Sequence, residues 1–157
     1  MLFATLFLFW VLLNASLEQD VLLAGVFAAL VIALLFRNSF SLFSEFRATP
    51  RAFGTALLYI AYFLTELVKS NLKLAAIVLA PALPLKPGIV KVRTRLKSRM
   101  GRMLLANSIT LTPGTLTVEL AGEWLYIHWV TVEATDIEAA TAGIVSGFER
   151  YLEVMYG

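Results

Sequence analysis

The sequence predicts a membrane α-helical hairpin, then a long amphipathic or third membrane helix, then a small α+β (β-α-β-β-α) cytoplasmic domain. Three observations lead there. Of 157 residues, 59% are hydrophobic and only 15% charged, against about a quarter charged in an ordinary soluble domain. The shortfall is concentrated before residue 85. Beyond Pro81 the pattern changes to short alternating runs separated by Pro and Gly, as in a water-soluble fold.

Leu2–Leu17 and Val21–Phe36 are each sixteen residues without a charge, joined by Glu18-Gln19-Asp20. A cleavable leader has a basic start and a small-residue cleavage site. This N-terminus has no Lys or Arg and a second apolar run follows, so residues 1–36 are expected to stay as a hairpin. Sixteen residues reach about 24 Å, short of the roughly 30 Å hydrocarbon core. Such a pair thins the bilayer, recruits flanking residues or stops short of crossing. Asn14 is read as an interfacial residue and Trp10 as a packing residue.

Residues 37–52 form a basic link carrying Arg37, Arg47 and Arg51. By the positive-inside rule it belongs in the cytoplasm. Seven of the thirteen basic residues then fall between Lys86 and Arg102, which favours the same side. Both placements hold if residues 53–80 lie along the cytoplasmic face; a three-span alternative leaves the arginines outside.

Within 53–85, Thr55, Tyr59, Tyr62, Glu66, Lys69 and Lys73 recur at spacings of four and three, one narrow helical stripe. The remaining surface is Ala, Leu, Ile, Phe and Val. Glu66 with Lys69 and Lys73 reads as a wet or partner-facing edge; in a crossing helix the same trio would be a relay. Pro81, Pro84 and Pro87-Gly88 end the helix.

Residues 86–157 form the α+β domain. Ile89–Leu96 alternates apolar and basic residues, a half-buried strand. Ser98–Asn107 reads as a short helix, Pro113-Gly114 as a turn. Leu116–Leu120 and Glu123–Val132 read as strands joined at Ala121-Gly122. The second has apolar or aromatic residues on both faces, which allows both to be covered. Asp136 caps a final helix. About seventy residues is near the lower limit for a self-sufficient core.

The chain has no cysteine and one histidine, His128. That set excludes disulfides and thiol nucleophiles and cannot supply a typical zinc site. No phosphate loop, dinucleotide fingerprint or nucleophile elbow occurs. No cofactor and no enzymatic activity are expected. The basic run suits anionic lipid better than nucleic acid, lacking interleaved aromatics. A stand-alone membrane-tethered regulatory domain, binding anionic lipid or nucleotide through strand 89–97, is the alternative reading.

The runs LLANSITLTPGT (Leu104–Thr115) and LYIHW (Leu125–Trp129), with ELVKSNLKLAAIVLAP from Glu66 and PGIVKVRT from Pro87, resemble the E subunit of the multisubunit Na+/H+ antiporter of the Mrp or Mnh type. The matching positions are Glu66, Ser70, Asn71, Pro87, Gly88, Asn107, Ser108, Thr110, Thr112, Pro113, Gly114, Thr115, His128 and Trp129. The resemblance implies an accessory subunit of a hetero-oligomeric cation/proton antiporter in the bacterial cell membrane, with ion conduction in larger subunits. Its implied partners are the other subunits and membrane lipid. The motif NSITLTPGT reads as a structural turn following a Ser/Thr-rich strand start, and His128 as a packed structural residue.

Overall fold

The computed structural model describes residues 2–36, 45–82 and 84–157. Arg37 and the first half of the basic link, residues 37–44, lie outside the described residues. The chain forms two compact units, Met1–Ser44 and Glu45–Gly157.

In the first unit, α1 (Leu2–Asn14) packs against α2 (Gln19–Leu35). At 13 and 17 residues they are about 20 and 25 Å long. Gly25 and Ala29 are the buried residues of α2, a small-xxx-small pair that lets helices approach closely. The approach is tight at Trp10: a Cβ on Gly25 would lie 2.4 Å from its Cδ1. The Trp10 indole N–H donates to the Val21 carbonyl at 2.9 Å. Trp10 therefore packs, as its mid-helix position implies. Asn14 returns to the Trp10 carbonyl at 2.9 Å on an exposed surface.

The second unit begins with α3 (Pro50–Leu79), a 30-residue helix. Thr49 caps it, accepting from Ala52 N at 3.1 Å, and Pro50 occupies the first turn, where its missing N–H costs nothing. It is the one described helix long and apolar enough to cross a membrane. A three-stranded antiparallel sheet follows in the order β1-β3-β2, from β1 (Gly88–Arg93), β2 (Thr115–Ala121) and β3 (Trp124–Trp129). Helices α4 (Arg99–Leu111), α5 (Ile137–Ile144) and α6 (Ser146–Tyr156) complete the unit.

Val90 and Val92 of β1 pair with Ile127 and Leu125 of β3. They meet Leu105 and Ile109 of α4, with Phe148 and Leu152 of α6. Each fully buried Leu or Ile contributes about 1.5–3 kcal/mol. Ala52 of α3 belongs to the same core, and Tyr59, Tyr62 and Phe63 pack against it. The long helix thus supplies apolar surface that the seventy-residue α+β segment would otherwise lack.

Several local expectations change. The helix expected over Ser98–Asn107 runs to Leu111, because Leu105 and Ile109 bury on one face; NSIT is helical, not the start of a strand. β1 ends at Arg93, where Thr94 turns inward to the Glu149 carboxylate. The hairpin turn is Gly122-Glu123, one residue later than read, with Ala121 opposite Trp124. Gly122 has φ +63 and Glu123 a negative φ, the signs of a type II′ turn, which suits strand twist. The final helix is interrupted at Val145. Only one face of the sheet is covered within the second unit: Leu125 and Ile127 are fully buried, while Ile89 and Leu116 on the other face are 63% and 50% exposed.

Candidate functional site

The polar stripe of α3 faces the α+β body. Tyr62 packs on Phe148 and Tyr151, each at 5.3 Å between ring centroids, and the Arg150 guanidinium lies 5.1 Å over it. One turn on, Glu66 accepts from Lys69 at 2.9 Å. Ser70 donates back to the carbonyls of Glu66 and Leu67. Lys73 reaches across to the Glu133 carboxylate, sixty residues away in sequence. These groups line a cleft of about 330 Å³, closed on the far side by Thr112, Pro113, Thr115 and Trp129.

Six of the fourteen matching positions therefore meet in one place: Glu66, Ser70, Thr112, Pro113, Thr115 and Trp129. Gly114 lies beside it, in a smaller recess shared with Ser70, Lys73 and Ile77. Ser108 sits beneath, bonded to the Tyr59 phenol. Asn71, Asn107 and Thr110 stand outside the cleft, Asn71 returning to the Leu67 carbonyl. His128 occupies the open face of the sheet, between Ile89 and Leu116 in the register. Glu133, Glu149 and Glu45 escaped sequence reasoning; each has a partner more than fifty residues away.

Hydroxyls within and just after the NSITLTPGT run tie the end of α4 to the turn and to β2. The last carbonyls of a helix lack intrahelical donors. Thr112 Oγ1 donates to Ser108 O at 2.7 Å, Thr115 Oγ1 to Ile109 O at 2.7 Å, and Thr117 Oγ1 to Ala106 O at 3.1 Å. Thr110 Oγ1 accepts from Thr117 N. The chain reverses through Pro113 and Gly114, where φ is +96 and Thr115 N returns to Thr112 O at 3.3 Å. Pro followed by a positive-φ glycine is a type II turn. The motif ends α4 and aims β2.

The opposite end of α4 is held by an acid. Glu45 accepts from the Ser98 hydroxyl and from Met100 N at 3.0 Å. These donors hold its carboxyl below the usual carboxylate value. Glu149, 3% exposed, accepts from the Thr94 hydroxyl and from Arg95 N at 2.7 Å.

The basic strand is largely compensated from within. The Lys91 ammonium lies 4.1 Å from the Trp124 ring centroid. Arg93 donates to Glu123 at 3.0 Å, and Arg95 lies 3.4 and 3.3 Å from Glu149 and Glu153.

A membrane-length helix, α3, is thus fused into the core of a small α+β body, with its Glu66, Lys69 and Lys73 held in ion pairs. The family model described as "Na+/H+ ion antiporter subunit" matches residues 3–155. The Na+/H+ antiporter E subunit of Alkalihalophilus pseudofirmus is 31% identical over 141 residues, covering 90% of this chain and 87% of that protein. The E1 subunit of the Staphylococcus haemolyticus antiporter is 30% identical over 146 residues, with 90% and 86% covered. A chain in the solved structure of the membrane-bound sulfane sulfur reductase, an archaeal respiratory membrane complex, is 38% identical. It superposes with a TM-score of 0.74 over 98% of this chain and 95% of that one. This chain belongs to the family of Na+/H+ antiporter E subunits, the Mrp/Mnh type, a transporter component rather than a catalyst.

Proposed function

We propose that this subunit assembles and supports a multisubunit cation/proton antiporter and does not itself conduct ions. The observation that carries this reading is the orientation of α3. Glu66, Lys69 and Lys73 line the cleft against the subunit's own α+β body, while Phe53, Leu57, Ile60, Leu64, Val68 and Leu72 are 52–71% exposed on other sides. An ion path needs unpaired or exchangeable polar groups along it. Here Lys69 and Lys73 are committed to Glu66 and Glu133. The apolar surface is left for lipid and neighbouring subunits.

In this reading α3 lies along the cytoplasmic boundary. From buried Ala52 to Lys73 it keeps contact with the body, about 32 Å of helix at 1.5 Å per residue. That length matches the roughly 30 Å of hydrocarbon. A crossing α3 would carry the exposed Lys73–Glu133 pair and Arg150 into lipid. Charge placement supports a cytoplasmic body, with seven basic residues between Lys86 and Arg102. The hairpin then anchors the subunit among its membrane neighbours, without nucleic acid as a partner.

The test is deletion followed by purification of the remaining complex in mild detergent. Loss of the complete complex and of sodium tolerance is expected, whereas Glu66→Gln and Lys73→Gln should preserve transport. A complete, active antiporter lacking this chain would overturn the reading.

A second reading is favoured by the 38% identity to the archaeal respiratory chain: the subunit serves a redox-driven complex of that kind. Co-purification with a sulfur-reducing activity supports it; co-purification with antiport activity alone rejects it.

A further inference from the structure

Basic residues between 86 and 102 gather in two places, with Arg93 at the boundary of both. Lys91 and Arg93 stack on Trp124 on the open face of the sheet. Past the end of β1 the chain turns, and Arg93, Arg95, Lys97 and Arg102 surround a pocket of about 480 Å³. Glu123 is the one carboxylate in its lining, and Arg93 already engages it. Arg95 leans on Glu149 and Glu153. Lys97 is exposed and has no acceptor among the described residues. Arg102 donates Nη1 to the Gly122 carbonyl at 2.6 Å, which fixes its guanidinium, while its Nε is buried with no acceptor.

A guanidinium fixed through one nitrogen, beside a free ammonium, is suited to a tetrahedral oxyanion met through its remaining terminal N–H groups. The planar fork supplies directed donors and the ammonium supplies a mobile point charge. The helix end nearby is not the attraction, because Glu45 already occupies the first amides of α4. We propose that this pocket binds a phosphate group, held chiefly by Arg102 and Lys97, with Arg93 and Arg95 supplying field from their paired positions. The group belongs to an anionic lipid headgroup or to a free phosphate; both present the same oxygens. The site is independent of whether the subunit drives assembly.

The test uses the full chain purified in nonionic detergent, titrated separately with inorganic phosphate and with dihexanoyl phosphatidylglycerol, and followed by phosphorus NMR. Saturable binding of at least one probe is expected. Lys97→Gln and Arg102→Gln should each weaken it about tenfold or more, the loss of one charge-assisted contact. Lys86→Gln removes the same charge outside the pocket and should leave binding unchanged. Saturation by inorganic phosphate assigns a free anion; saturation by the lipid alone assigns a headgroup. Two results overturn the site: neither probe saturating, or all three variants weakening binding equally, as a diffuse positive field would require. Lys97→Gln lies on an exposed loop, so it decides the matter even where Arg102→Gln disturbs the fold.

Discussion

The Tyr59 phenol donates a hydrogen bond to the Ser108 hydroxyl, joining α3 to α4 across 49 residues of sequence. The direction follows from Ser108 itself, whose single hydrogen goes to the Leu104 carbonyl at 2.8 Å. Ser108 is 6% exposed, so little water reaches the pair. Ser108→Ala removes the acceptor and strands the phenol, a cost of about 1–3 kcal/mol. Tyr59→Phe removes both needs and should cost less, and the double variant should cost less than the sum of the two. A double-mutant cycle on unfolding in detergent measures the coupling. Strict additivity would show that the two groups do not depend on each other.

Glu149 should be among the least replaceable acids. Glu149→Ala leaves the Thr94 hydroxyl and Arg95 N–H without their acceptor, about 1–3 kcal/mol for each buried group left unpaired. Both donors bond the same oxygen, Oε1, so Glu149→Gln, which keeps that acceptor, should cost far less than Glu149→Ala. Amide exchange at Arg95 reads the local effect and the unfolding midpoint the global one. A change within the roughly 0.5 kcal/mol of an ordinary surface substitution contradicts the role.

Gly25 is required by contact. Gly25→Ala places a methyl 2.4 Å from Trp10 Cδ1, so α1 and α2 must separate or shift. The natural absence of cysteine lets engineered cysteine pairs report the distance between the helices by cross-linking. Cross-linking should fall in Gly25→Ala and recover when Trp10→Ala is added. Equal cross-linking in all three would show that the indole yields without cost.

Acid should loosen the start of α4 through Glu45. Its folded-state carboxyl is held below the usual carboxylate value, first by the Ser98 hydroxyl and then by the Met100 amide. A depressed carboxyl stabilises the fold above its unfolded value and loses that contribution as pH falls through the folded one. The wild-type chain should therefore lose stability more steeply than Glu45→Gln as pH falls below the unfolded glutamate value of about 4.3. Unfolding midpoints across that range compare the slopes. Parallel curves would place the acid sensitivity elsewhere.

The sequence revealed what periodicity can carry. The α3 stripe, the alternation of β1 and β3, and Asp136 as a helix cap are local patterns. Asp136 accepts from the Glu138 and Ala139 amides at 3.1 and 3.0 Å. The family motif was also legible, but its work was not. NSIT extends α4 because Ile109 buries one turn beyond Leu105, a fact set by tertiary contact. Glu133, Glu149 and Glu45 were silent for the same reason. An isolated acid in sequence looks solvated, and only the fold brings it to Lys73, Thr94 or Ser98.

The distance between partners along the chain also sets an order of events during synthesis. α3 leaves the ribosome before any residue that covers its polar stripe. Ser108 follows Tyr59 by 49 residues and Glu133 follows Lys73 by 60. At about 5–20 residues per second, several seconds pass with Tyr59, Tyr62 and Lys73 unpartnered. Over the same seconds the opposite, apolar side is complete and ready for the lipid boundary. In the proposed placement along the boundary, the nascent helix would settle on the bilayer with its polar edge toward water, and the late-arriving strands would find a template already held there.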